Sequence, residues 1–170
     1  MGKDLARRIK KNSEEFYILY EVGKELGLGN NILSFLLLSA IEETAKYFVE
    51  VLLSKCGNPM LRRNIRSRIY NEHAVKYKIF LAVYYTVRGP SDLGTRLKEI
   101  DELTSKWLSI RKRYLINVSH AEVLPEDLNE IEKYYLNYEG MERVILGLSG
   151  EESCGLLVTL ADAVIGSERS

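Results

Sequence analysis

Two adjacent carboxylates and a lysine stand inside one of the most apolar stretches of the chain, Ser39-Ala40-Ile41-Glu42-Glu43-Thr44-Ala45-Lys46. Ile32, Leu33, Phe35, Leu36, Leu37 and Leu38 precede them, and Tyr47, Phe48, Val49, Val51, Leu52 and Leu53 follow. A helix that is apolar on nearly every side belongs in a core. A carboxylate buried there needs a partner, because an unpaired charge in apolar surroundings is very costly. Glu42 precedes Lys46 by four residues, the favourable order for a pair on one helix, and Glu43 precedes it by three. Taken alone, these residues read as an ion pair stabilising their own helix. One lysine cannot neutralise two carboxylates, however, so a second cation is expected from another helix, with Arg66, His73 and Arg113 as the candidates.

Both histidines follow basic residues. Arg66 and His73 are seven apart and share one face of a straight helix, with Arg62 extending that face and Lys76 beside it. Arg68 and His73 have four residues between them and lie about 140 degrees apart on an ideal helix, a geometry that a bend at Tyr70 would change. The second constellation, Arg111-Lys112-Arg113-Tyr114-Leu115-Ile116-Asn117-Val118-Ser119-His120, has six residues between Arg113 and His120. Imidazole exchanges a proton near neutral pH, and arginine holds phosphate through two hydrogen bonds. Cleavage of an RNA phosphodiester needs a base for the 2′-hydroxyl proton and a cation for the phosphorane charge, and His with Arg can fill those roles. The plainer readings are a solvated basic face and a basic helix C-terminus that complements the dipole. The histidines and glutamates lack the compact spacing of helical metal sites, so neither a metal nor a cofactor is expected. Tyr84-Tyr85 and Tyr134-Tyr135 could stack on bases, although tyrosines at helical spacing more often pack at the rim of a core.

The elements that must position these residues are helical. Leu5, Ile9, Phe16, Leu19, Tyr20 and Val22 recur at roughly helical spacing over 3–26. Gly27, Gly29, Asn30 and Asn31 supply a stop, a tight turn and an N-cap, which predicts an antiparallel hairpin with a helix over about 31–55. Cys56-Gly57-Asn58-Pro59 ends that helix. A third helical region over 60–88 carries two apolar stripes out of phase, which predicts a bend or break at 70–73. A turn at Gly89-Pro90-Ser91-Asp92 leads to a helix over about 92–113 with Leu93, Leu97, Ile100, Leu103 and Trp107 inward. Residues 114–124 read as a loop or extended piece. Pro125-Glu126-Asp127 marks another start, and closing helices are expected over 128–148 and 156–165. No strand pattern is convincing. The expectation is a single all-α domain over 1–170, a compact bundle of about five or six helices.

Lys and Arg balance Asp and Glu, so no global field attracts nucleic acid or an anionic membrane. Locally, 61–78 is basic and 122–142 acidic. Cys56 and Cys154 lie far apart without metal-site or redox spacing, which fits a reducing cytosol. The charged N-terminus and the early interruption of the apolar run by Glu42 and Glu43 predict a soluble, cytoplasmic protein that does not enter membranes.

The order Ala40-Ile41-Glu42-Glu43-Thr44-Ala45-Lys46, then Asn71-Glu72-His73-Ala74-Val75-Lys76, then Arg111 to Asn117 before Pro125-Glu126 resembles the AbiV-type abortive infection proteins of the HEPN superfamily. The resemblance covers roughly residues 10–127. It implies a HEPN-like helical bundle, commonly dimeric, acting in antiviral defence or toxin-antitoxin systems, and for many superfamily members metal-independent ribonuclease activity. It further implies that Glu42, Glu43, Lys46, His73 and Lys76 match the polar core of that family, with Arg68 and His73 or Arg113 and His120 as the nuclease pair. Arg66, Arg111 and Asn117 are supporting residues on this reading. Ile69 and Tyr114 stand where a small polar residue usually follows the arginine. The expected function is phage defence through RNA, and the expected partners are RNA, a second copy of the chain and a protein such as an antitoxin or phage protein. The alternative is a non-catalytic module that binds a protein or its own copy, with the Glu-Glu-Lys cluster structural.

Overall fold

The computed structural model describes residues 2–88, 93–115 and 122–169. It is an all-α bundle of α1 (Gly2–Glu25), α2 (Asn30–Lys55), α3 (Pro59–Ile69), α4 (His73–Arg88), α5 (Leu93–Arg111), a 3-10 turn (Lys112–Leu115), α6 (Pro125–Tyr135), α7 (Tyr138–Gly147) and α8 (Gly150–Arg169). The segments outnumber the five or six expected because two regions divide. The third breaks at Tyr70–Glu72, as the phase shift predicts. The stretch read as one helix over 128–148 begins at Pro125 and breaks at Leu136–Asn137, and the last helix starts at Gly150.

α2 is the axis of the bundle. Between Leu37 and Leu53 only Glu43 and Lys46 keep partial exposure, and α1, α4, α5, α6, α7 and α8 all pack on it. An all-round apolar sequence produces this position: every face has surface to remove from water, at about 25 cal/mol per Å². α1 packs along α2 through Ala6, Ile9, Ser13, Tyr20 and Gly23, while Leu19 and Val22, part of its apolar spacing, stay exposed at 52% and 45%. Small residues carry the close approach. Ser13 Oγ donates to the Ala40 carbonyl at 3.1 Å and meets Thr44 Oγ1 at 2.6 Å. A Cβ on Gly23 would lie 2.9 Å from a Leu28 methyl and 3.0 Å from one of Leu33.

The hairpin turns at Gly27, whose φ of +74° suits a residue without a Cβ, and Leu28 N closes the α1 terminus on the Gly23 carbonyl at 2.9 Å. Gly29, not an asparagine, is the N-cap of α2. The asparagine amides reach across the fold instead. Asn30 Nδ2 donates to the Val123 carbonyl at 3.0 Å, Asn31 Nδ2 to the Arg113 carbonyl at 3.4 Å, and Val123 N donates to Asn31 Oδ1 at 2.7 Å. They thereby hold both flanks of residues 116–121.

At the far end of α2, Lys55 Nζ donates to the carbonyls of Ile145, Leu146 and Leu148, capping α7. Ser149 and Glu152 then form a reciprocal capping box for α8, and the Ser149 backbone N–H is the first reason the Glu152 carboxyl is held below its usual range. Cys56 and Cys154, far apart in the chain and expected in a reducing cytosol, form a disulfide between the end of α2 and α8, with Cα atoms 5.1 Å apart. Separation along the chain does not report separation in space. The bond closes a loop of 98 residues. Reduction, or Cys56→Ser with Cys154→Ser, should lower the unfolding free energy by about 2–5 kcal/mol in urea denaturation. Unreduced, denatured protein should yield no titratable thiol; two free thiols would refute the bond.

The tyrosines form part of the apolar structure. Tyr84, Tyr85 and Tyr134 contact one another, and Trp107 packs on Tyr134 and Tyr77 at 5.6 and 5.8 Å. Tyr84 and Tyr135 are buried, so these pairs are core rather than stacking platforms. Burial pushes the Tyr135 phenol up to about 12. Burial first, and then the Glu132 and Glu42 carboxylates, hold Tyr20 and Tyr77 higher still. Below about pH 10 these phenols are neutral in both folded and unfolded chains; above it the unfolded chain ionises first, so stability is lost as pH rises. Urea midpoints should fall steadily from about pH 10 upward, with tyrosinate absorbance of the buried rings appearing only on unfolding. Ionisation of all phenols near pH 10 in a still-folded protein would contradict this packing.

Candidate functional site

Glu42 lies in the middle of α2 with its side chain 7% exposed, and four groups from two other helices converge on it. Tyr77 Oη donates to Oε2 at 2.8 Å and Arg111 Nε donates to the same oxygen at 3.1 Å. His73 Nδ1 bonds Oε1, and Lys76 Nζ stands 3.6 Å from that oxygen. Each carboxylate oxygen therefore has two partners. The placement follows from helical spacing: His73, Lys76 and Tyr77 are i, i+3 and i+4, one face of the first turn of α4, and Arg111 ends α5. The Arg111 guanidinium also lies over the Phe35 ring at 5.5 Å, and Phe35 packs on Tyr114 at 4.1 Å.

Exposure separates the roles. Tyr77 is fully buried, and the Lys76 and Arg111 side chains are 10% and 18% exposed, whereas His73 is 43% exposed. Glu42 occupies Nδ1, so Nε2 is the imidazole atom available to a ligand. Lys76 and Arg111 together carry more positive charge than one carboxylate balances, so the mouth of the site favours an anion even when the imidazole is neutral.

Two further ionic knots follow along the same stripe of α2. Glu43 pairs with Lys46 at 2.5 Å, and the Lys46 ammonium lies 5.4 Å from the Tyr70 ring centre. The second Glu43 oxygen is buried without a hydrogen-bond partner among the described residues. Glu50, 1% exposed, accepts from Arg66 Nε at 2.9 Å and Nη2 at 2.6 Å and from Tyr70 Oη at 3.1 Å. This is the two-pronged geometry that makes arginine suited to a buried carboxylate.

Of the residues expected at the site, Glu42, His73, Lys76 and Arg111 come together. Glu43 and Lys46 pair with each other, so Lys46 does not serve Glu42. Arg66 goes to Glu50 and not to Glu42 or Glu43: it stands seven residues before His73, about 10 Å along a helix axis, and Glu50 stands about 12 Å beyond the Glu42 that His73 meets. Arg68 bonds Glu72 at 3.0 Å while His73 bonds Glu42, so the two engage different carboxylates. Arg113 lies in the 3-10 turn, where its carbonyl accepts from Asn31, and the cation on Glu42 is its neighbour Arg111. Asn117 and His120 lie outside the described residues, and with them the Arg113 and His120 pairing. Sequence reasoning missed Tyr77 and Glu50. Tyr77 had a signal in its four-residue spacing from His73, and Glu50 in standing alone within the apolar run Tyr47 to Leu53. No group of three or more His, Cys, Asp or Glu side chains suited to a metal ion occurs among the described residues. No protein-family model, curated protein or solved structure matches this chain.

Proposed function

We propose that the chain acts on RNA as a metal-independent endoribonuclease of the abortive-infection type. The observation that carries this reading is the exposed His73 imidazole, tied through Nδ1 to the buried Glu42 carboxylate and flanked by Lys76 and Arg111. In this reading Glu42 fixes the ring orientation and tautomer, as a carboxylate does for a catalytic histidine. Nε2 takes the proton of a ribose 2′-hydroxyl. The 2′-oxygen attacks the adjacent phosphorus, and Arg111 and Lys76 stabilise the charge on the phosphorane. The bond to the 5′-oxygen breaks, that oxygen takes a proton from water, the hydroxide left behind recovers the proton held on Nε2, and the strand ends in a 2′,3′-cyclic phosphate. Glu42, which the resemblance places in the polar core, is on this reading the group that positions the base.

The resemblance of the Glu42-to-Lys46 and His73-to-Lys76 segments to AbiV-type HEPN proteins supports the same class and a role in phage defence in the cytoplasm. Disulfides persist mainly in oxidising compartments, so the Cys56–Cys154 bond and a cytoplasmic site of action pull in opposite directions. No helix among the described residues is long and apolar enough to cross a membrane. The test is cleavage of labelled RNA in the presence of a chelator. His73→Ala should lose activity at least 100-fold while retaining its circular dichroism spectrum. Wild-type protein that leaves RNA intact, or an His73→Ala variant with full activity, would sink the reading.

A second reading, self-association, draws on α1. Ile18, Leu19 and Val22 form an exposed apolar stripe on its outer face, which Leu26 continues just past the end of the helix. The first half of α1 is rich in Lys and Arg and the second half in Glu, so an antiparallel second copy would set opposite charges side by side. Light scattering should then report a dimer that Leu19→Lys with Val22→Lys converts to monomer; a wild-type monomer at high concentration would dismiss it.

A further inference from the structure

A cleft of about 930 Å³, rimmed by charged side chains, opens between the start of α1, the end of α2 and α3, away from His73. Its walls carry Lys3, Arg8, Lys55, Arg62 and Arg66 against Asp4 and Glu50. Two of these cations are already committed within the fold: Lys55 caps α7, and Arg66 neutralises the buried Glu50. Lys3, Arg8 and Arg62 form no ion pair with a described residue, so the cleft has an excess of positive charge. The arginines on α3 are also held in place. Arg62 Nη2 donates to the Leu53 carbonyl at 3.3 Å, and Arg66 is gripped on two sides by Glu50. Of the five N–H groups of a guanidinium, only some are used in this way, and the Arg66 side chain remains 38% exposed. Preorganised guanidinium groups suit phosphate better than freely moving lysines, because less conformational freedom is lost on binding.

No aromatic side chain among the described residues lines the cleft, so it offers no platform for bases. What it can recognise is the repeating phosphodiester, independent of sequence. Its position relates it to His73. Glu42 and Glu50 are eight residues apart on one stripe of α2, about 12 Å along the helix axis, and Tyr70, three residues before His73, bonds the same Glu50 that anchors Arg66. One extended strand can therefore reach both places.

We propose that this cleft is the backbone track of the RNA substrate, in which Arg8, Arg62 and Arg66 hold phosphates to one side of the bond presented to His73. The inference rests on the RNA reading of the His73 site for the identity of the polyanion. It is tested with a fluorescein-labelled oligouridylate bound to His73→Ala protein, which prevents cleavage, by anisotropy over a range of potassium chloride. Arg8→Ala and Arg62→Ala are the variants, because both residues are exposed and neither supports a buried carboxylate.

Each substitution should weaken binding several-fold and flatten the plot of log affinity against log salt by about 0.7, the value for one lost phosphate contact on a single strand. In the cleaving protein the same substitutions should raise KM. Unchanged affinity and salt slope in both variants, or failure of the oligouridylate to bind at all, would overturn the proposal. The two readings fail separately. Cleavage with KM unmoved by Arg8→Ala and Arg62→Ala removes the cleft and keeps the nuclease. Arginine-dependent, salt-sensitive binding without any wild-type cleavage keeps the cleft as an RNA groove and removes the chemistry at His73.

Discussion

A carboxylate almost sealed from water at the centre of the bundle must be satisfied where it stands, and Glu42 is satisfied only if α4 and α5 present their polar groups at one point. Removing a partner from a buried charge is costly because the charge remains desolvated. The first turn of α4 must therefore face α2, and α5 must end where Arg111 reaches the second carboxylate oxygen. The same residues also enter the apolar packing. Tyr77 donates to Glu42 with its hydroxyl while its ring lies edge-on to Trp107, the large buried indole that also touches Tyr134 and Phe80. Polar and apolar constraints thus act on one helix register, and a shift that loosened one would loosen the other.

The carboxylates of α2 are kept apart by having different partners. Glu42 takes groups from α4 and α5, Glu43 takes Lys46 from its own helix, and Glu50 takes Arg66 and Tyr70 from α3 and the break that follows. Glu72 meanwhile holds Arg68. This division keeps the basic third region from collapsing onto a single acidic cluster. It places an imidazole at one end of the stripe and a cation-rich cleft at the other. Tyr70 belongs to both: its hydroxyl bonds Glu50, and its ring carries Lys46. The break between α3 and α4 therefore carries a residue of its own into the stripe, Tyr70, whose hydroxyl joins Arg66 on Glu50 just before His73 begins the helix that meets Glu42.

Beyond this stripe the fold is held by ties at the ends of helices. Lys55, the disulfide and the Ser149–Glu152 box secure α7 and α8 around the end of α2, and Asn30 and Asn31 secure the flanks of the segment before α6 at its beginning. The central helix is thus anchored at both termini and packed between them. The outer face of α1, by contrast, has no such neighbour among the described residues, and its leucine, isoleucine and valine side chains are exposed.

Much of the fold was legible in the chain because local rules determine it. The all-round apolar pattern placed α2 in the core, the glycine pair placed the hairpin turn, and the phase slip between Ile69 and Val75 placed the break. The types of residue at the site were legible as well: a carboxylate in an apolar helix requires donors, and His73, Lys76 and Arg111 were among those available. Which donor meets which carboxylate was decided only in three dimensions. Spacing says which side chains share a face of one helix, but not which face of another helix turns toward it, so Arg66, His73 and Arg113 stand as equal candidates for the cluster until the fold brings His73 and Arg111 to Glu42 and Arg66 to Glu50. The same limit hid Tyr77, Glu50 and the disulfide, because a partner 98 residues away leaves no periodic trace in the sequence and is brought near only when the whole core closes.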